Sequence, residues 1–178
     1  DLIGSFTLNP TNPSAGAAVE VTAVVTNQGS TKADAFWVDF YVNPSATPTV
    51  NKRWSDLCSL SPCYGIAWYV SGGLDPGQAI TLTSTADSYS GPHTNWIGEF
   101  ISGSNDLQLY VDVWNPGVPT GAVYESNENN NRSQQSITLL GLATAPQPEP
   151  LPYIPPRPVP ESAVTAEPEV QLGLLALK

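Results

Sequence analysis

The sequence predicts an all-β domain in which about seven strands form two packed sheets, followed by an extended, proline-rich C-terminal tail. Short apolar runs alternate with polar residues at a period of two, and clusters of Gly, Pro, Asn and Ser separate these runs. No stretch shows helical periodicity. Charged residues make up only 12% of the chain, which disfavours solvent-facing helices because their surfaces are usually rich in Lys, Glu and Arg.

The individual strands follow from this alternation in chain order. The first is the run from Leu2 to Leu8, and in the second Val21, Ala23 and Val25 alternate with less apolar neighbours. The predicted strands cover residues 2–8, 19–26, 36–42, 66–70, 80–83, 107–114 and 137–139. Because these strands have apolar faces that must be buried, the fold needs two sheets packed against each other.

The third predicted strand, residues 36–42, has large side chains on both faces. Its apolar face matches those of the other strands, whereas the opposite face presents Trp37, Asp39 and Tyr41. We expect this second face to be aromatic and partly exposed.

Residues 44–64 form a long irregular excursion between the third and fourth strands. This segment contains the only two cysteines of the chain, Cys58 and Cys63. A structural zinc site needs four nitrogen or sulfur ligands, and His93 is the only histidine available besides this pair. A disulfide formed in an oxidising compartment is therefore favoured over free thiols, which remain the alternative.

The composition changes abruptly after residue 142. Nine of the 18 prolines lie between residues 143 and 168, where fixed φ angles and missing N–H donors favour extended polyproline II. The predicted organisation is a β-sandwich over residues 1–142, a Pro-rich extended linker over 143–169 and an apolar terminal strand over 170–178.

The apolar end of the tail predicts assembly. We expect residues 170–177 to add as a strand to the sheet edge of a neighbouring subunit, so that repetition of the contact builds a homo-oligomer or homopolymer. The alternative is that the tail folds back on its own domain. The predicted assembly residues are Tyr153, Ile154, Val170, Leu172, Leu174, Leu175 and Leu177.

Charge and hydropathy exclude several partners. The formal net charge of −10 and the lack of a basic cluster argue against nucleic acid, because binding to phosphates depends on Lys and Arg. No run approaches the roughly 18 apolar residues that would span a bilayer. The chain has no methionine, and we expect it to be the mature form of a secreted or cell-surface protein that has lost a leader.

Several motifs resemble a known family. Residues 12–16 read Asn-Pro-Ser-Ala-Gly, residues 74–77 read Leu-Asp-Pro-Gly, and an Asn-rich segment follows Val123. In order and spacing they resemble the bacterial cell-adhesion-related domain called CARDB, over about residues 1–140. The resemblance implies an immunoglobulin-like sandwich with an adhesive or scaffolding role. The chain departs from the family pattern at residues 44–73 and 89–105, which are longer or carry extra residues.

Oxygen donors are concentrated near the end of the predicted domain. Asp112, Glu125, Asn127 and Glu128 are of the type that calcium prefers, and calcium is the only cofactor that we consider. The alternative is a corner turn, in which Asn and Asp side chains bond to nearby backbone.

No catalytic residues are predicted, and we expect the protein not to be an enzyme. A catalytic triad would have to use the single histidine, His93, which we expect in an exposed loop. The leading hypothesis is a structural subunit of an extracellular surface assembly or filament. The alternatives are a glycan- or receptor-binding adhesion module, with the five tryptophans as a sugar-stacking face, or an accessory domain of a secreted hydrolase.

Overall fold

The computed structural model describes residues 1–58, 61–140 and 153–160. Within these ranges the chain forms seven strands and two short 3-10 turns, and the predicted all-β sandwich is confirmed. The strands are β1 (Leu2–Asn9), β2 (Glu20–Asn27), β3 (Phe36–Val42), β4 (Gly65–Val70), β5 (Ala79–Thr83), β6 (Gly103–Val111) and β7 (Arg132–Leu139). The 3-10 turns cover Trp54–Leu57 and Gly91–His93. No described helix is long and apolar enough to cross a membrane.

The strands form two antiparallel sheets. One has three strands in the order β1-β2-β5, and the other has four in the order β4-β3-β6-β7. β3 therefore lies inside the four-stranded sheet, with Phe40 paired to Ile66 on one side and to Leu109 on the other.

The main core lies between the two sheets and follows the predicted period of two. Val21, Ala23 and Val25 of β2 are fully buried, as are Val38 and Phe40 of β3. Burying one such aliphatic or aromatic side chain contributes about 1.5–3 kcal/mol, so the alternation by itself is enough to select this packing.

A second core covers the outer face of the four-stranded sheet. The expectation that Trp37, Asp39 and Tyr41 are partly exposed is wrong, because each is at most 1% exposed. The excursion after β3 folds back over this face, and Trp54 and other side chains pack on it. The second core comprises Trp37, Tyr41, Trp54, Leu57, Cys63, Ala67 and Val113.

Three predicted strand boundaries differ from the structure by three residues or more, and the first is the start of β6 at Gly103, four residues before the predicted start at 107. β6 ends at Val111 because Asp112 has a φ of 56°, a left-handed conformation that leaves the ladder. β7 begins at Arg132, five residues before the predicted start, and its polar residues pair with β6. The sequence gives no apolar alternation in the first half of β7, because the side chains there are polar and every second one is exposed. The start of this strand was therefore not predicted.

We predict that Gly65→Ala destabilises the sandwich by about 1–3 kcal/mol, the usual cost of overpacking. A Cβ at Gly65 would lie 2.3 Å from a ring atom of Trp54, so the excursion would have to move. Gly72→Ala is the matched control, because a Cβ there meets nothing within 4 Å. Urea denaturation followed by tryptophan fluorescence measures both, and equal stabilities would contradict the prediction.

Candidate functional site

The most unusual side chain of the second core is the carboxylate of Asp39. It lies in the middle of β3, is fully buried, and accepts a hydrogen bond of 2.8 Å from the backbone N–H of Trp54. A buried charge without a counter-charge is strongly destabilising, so this position requires a cation.

Arg157 supplies that cation from the proline-rich region. Its two terminal nitrogens donate to the two carboxylate oxygens of Asp39 at 2.7 and 2.8 Å, and both side chains are 0% exposed. This parallel pair of bonds is the geometry in which a guanidinium matches a carboxylate best.

Further contacts hold the segment around Arg157, residues 153–160, on the same face; we call it the docked segment. The Arg157 guanidinium lies 4.8 Å from the ring centroid of Trp37, and Trp37 Nε1 donates to the carbonyl of Pro158 at 3.1 Å. Ile154 packs against the second core, and Pro160 is buried. The part of the proline-rich region that the structure describes therefore lies on its own domain, as in the fold-back alternative.

His93 is buried under the docked segment and is only 7% exposed, so the expected exposed loop position is wrong. Its ring meets that of Trp37 edge-on at 5.2 Å, and it donates a hydrogen bond to the backbone carbonyl of Pro155. Burial lowers the pKa of His93, and the charge of Arg157 acts in the same direction. The imidazole therefore forms one wall of the site.

The excursion is fixed to the sheet by its own hydrogen bonds. Trp54 Nε1 donates to the carbonyl of His93 at 2.9 Å, and the Tyr41 hydroxyl donates to the carbonyl of Lys52 at 2.6 Å. The predicted disulfide between Cys58 and Cys63 is present.

Three chain regions therefore meet around Asp39 and Trp37. Two of them, represented by Trp54 and His93, lie within residues 44–73 and 89–105. The third is the docked segment, represented by Arg157. The outer face of the four-stranded sheet is thus covered by segments that are far apart in sequence.

The acidic corner near the end of β6 is organised by backbone contacts. Both carboxylate oxygens of Asp112 accept backbone N–H groups, from Ala122 at 2.9 Å and from Val123 at 2.8 Å. Glu125 accepts from the backbone N–H of Leu2 and from the side chain of Asn131. Burial raises the pKa of Asp112 to about 7 and also raises the pKa of Glu125.

The other predicted calcium donors lie further along the same loop. Glu128 accepts from the backbone N–H of Glu125, and Asn127 from that of Asn129. In the described ranges, no three His, Cys, Asp or Glu side chains are arranged to hold a metal ion. Asp112, Asn127 and Glu128 therefore bond to backbone of the same corner, as in the corner-turn alternative, whereas Glu125 bonds to β1. Calcium at this corner stays a prediction.

The predicted assembly residues fall into two groups. Tyr153 is 84% exposed and Ile154 is packed, as described above. Val170, Leu172, Leu174, Leu175 and Leu177 lie outside the described residues.

The five tryptophans do not form a common exposed face. Trp37, Trp54 and Trp68 are at most 3% exposed. Trp96 is partly buried and meets the ring of Phe100 edge-on. The tryptophans therefore serve mainly as core, a usual role of large aromatic side chains.

Comparison with known proteins agrees with this architecture. The CARDB family model matches residues 1–135. The chain belongs to the CARDB family. This is a family of cell-adhesion-related domains of a non-catalytic, adhesion type.

Among solved structures, the chain is similar to the CARDB domain of a protein from Pyrococcus furiosus, described as a complex with di-metal ions. The TM-score is 0.50 at 22% sequence identity, and the match covers 78% of this chain and 92% of the archaeal domain. No curated protein matches the chain.

Sequence reasoning missed the pairing of Asp39 with Arg157. The available signal was a single charged residue in an otherwise aromatic strand face, together with a lone Arg among prolines. Each residue is unremarkable alone, and 118 positions separate them.

We predict that Arg157→Ala lowers the free energy of unfolding by about 3 kcal/mol, because it leaves the Asp39 carboxylate buried without a counter-charge. Arg132→Ala removes an arginine from an exposed position and serves as the matched control, with a change within about 0.5 kcal/mol. Guanidinium denaturation of the three proteins measures the difference. An Arg157→Ala variant as stable as the control would show that the pair contributes nothing.

We predict that Asp112→Asn destabilises the protein by about 1–3 kcal/mol at pH 5, because the amide NH2, unlike either oxygen of a carboxyl group, accepts no hydrogen bond and leaves the N–H of Ala122 or Val123 unpaired. Thermal denaturation compares the variant with the natural chain. The folded pKa of Asp112 lies above its unfolded value of 3.8, so the natural chain gains stability as pH falls through about 7. The difference between the two proteins should therefore grow from pH 8 to pH 5, and a pH-independent difference would contradict this assignment.

Proposed function

We propose that this chain is a non-catalytic structural module of an extracellular surface assembly, joined to its neighbour through residues 161–178. The observation that carries the proposal is the buried pair of Arg157 with Asp39. It fixes the docked segment to the sandwich, and Pro160 is buried at the end of that segment. The following residues therefore start from a defined point on the outer face.

The chemistry of the domain supports this role. The family is cell-adhesion-related, and the disulfide between Cys58 and Cys63 suits an oxidising, extracellular location. The net charge of −10 keeps separate domains soluble through mutual repulsion. Association of such domains then depends on a specific apolar contact, which residues 170–177 are suited to provide.

The sheet edges indicate where that contact would form. The outer edge of β4 is already occupied, because Gly65 exchanges two backbone hydrogen bonds with Asn95 and Ala67 bonds to Thr94 and Ser90. Of the three other edge strands among those described, β7 borders the sheet whose outer face carries the docked segment, whereas β1 and β5 border the other sheet. We therefore propose that residues 170–177 of one subunit add to the β7 edge of the next, as a strand.

Deleting residues 161–178 should convert the assembled protein to a monomer and leave its melting temperature unchanged. All the described packing lies within residues 1–160, so this deletion removes the proposed junction alone. Size-exclusion chromatography with light scattering measures the mass, and negative-stain microscopy shows whether filaments are present.

The position of the cut decides what this experiment tests. A deletion from residue 143 would also remove Arg157 and leave Asp39 without its counter-charge, so lost assembly could then reflect lost stability. Assemblies that persist after deletion of 161–178 would contradict the proposal. A natural chain that is monomeric and binds a glycan array would favour the glycan-binding alternative.

A further inference from the structure

We infer that the outer face of the four-stranded sheet is a binding site for an extended peptide with an arginine between prolines, and that its occupant in the assembly is the docked segment of a second copy. In the single chain the site holds residues 153–160 of its own tail. The site is formed by Asp39, Trp37 and His93.

The contacts are those of a peptide-recognition site rather than of general packing. Arg157 as a whole residue is only 5% exposed, and both terminal nitrogens of its guanidinium bond to one carboxylate. Trp37 contributes its ring face to the same guanidinium and its N–H to the next carbonyl along the peptide, that of Pro158. One bidentate charge pair, one ring contact and one main-chain bond define position, direction and residue type.

These contacts select arginine over lysine. A lysine ammonium is a point charge that lacks the planar pair of N–H groups with which Arg157 bonds to both oxygens of Asp39. The prolines on either side of Arg157 reduce the conformational freedom that the peptide loses on binding. The ligand class is therefore a short Pro-Arg-Pro peptide in an extended conformation.

Chain length allows the same contacts to form between copies. Twelve residues, 141–152, connect the last described residue after β7 to the docked segment, and an extended chain of that length reaches about 40 Å. An eight-residue strand spans only about 26 Å. The docked segment of one copy can therefore reach the site of a copy that touches it.

The balance between the two arrangements depends on local concentration. A connection of only twelve residues keeps the chain's own segment near the site at an effective concentration on the order of millimolar, so the intramolecular arrangement dominates in dilute solution. Exchange between copies needs the local concentration of an assembly and so rests on the proposed function. The binding site itself does not depend on that function.

A peptide experiment tests the site directly. Full-length Arg157→Ala keeps Asp39 and Trp37 but has lost the anchor of its own segment, so we expect it to bind the peptide Leu-Pro-Tyr-Ile-Pro-Pro-Arg-Pro-Val-Pro and to regain melting temperature. The same peptide with Lys in place of Arg should bind on the order of tenfold more weakly, because the bidentate pair is lost. Should Arg157→Ala fail to fold, Arg157→Lys takes its place. If neither peptide binds, or if the two peptides bind equally well, the proposed binding site is wrong.

A mixing experiment tests the second copy as occupant. Full-length Asp39→Asn has a free docked segment and a defective site, whereas Arg157→Ala has the reverse. Together they should form a one-to-one complex at concentrations where each alone shows no such pairing, measured by sedimentation with one partner fluorescently labelled. Arg157→Ala mixed with the double variant Asp39→Asn, Arg157→Ala is the control without a competent segment.

The outcomes separate this inference from the proposed junction. If the peptide binds but no mixed complex forms, the proposal that a second copy supplies the occupant is wrong. A mixed complex that forms equally with the control would overturn the role of Arg157. Loss of assembly on deletion of 161–178 concerns a different contact and changes neither result.

Discussion

The buried carboxylate of Asp39 is the constraint around which the outer half of this molecule is built. Its position in the middle of β3 removes it from water on every side, and a charge in that situation must be paired and hydrogen-bonded. The backbone of Trp54 meets one part of that requirement and Arg157 the other. Two chain regions far apart in sequence are thereby brought to the same place.

This pairing extends the domain beyond the common family sandwich. The family match ends at residue 135, yet Arg157 is as buried as its partner on β3. The second core adds a layer outside the four-stranded sheet, while the first core fills the space between the sheets. The family sandwich thus carries an outer layer to which a segment beyond the family match contributes.

The acidic corner and the outer face use carboxylates in opposite ways. Asp112 is satisfied locally, by the backbone of residues ten and eleven positions further along the chain. Asp39 is satisfied by a side chain 118 positions away. The first arrangement stabilises a loop where the chain leaves β6, whereas the second determines which distant segment can lie on the sheet. Only the second has the selectivity of a recognition site.

The sequence by itself determined the sandwich, the extent of most strands, the disulfide and the family. These features depend on local alternation, short spacing and turn residues, which are legible without knowing what lies opposite. Only the tertiary structure decided that Trp37 and Tyr41 are buried, that His93 is covered, and that Arg157 pairs with Asp39. Those facts depend on contacts between segments far apart in sequence. A polar residue in a strand face gives no local sign of which distant residue will neutralise it.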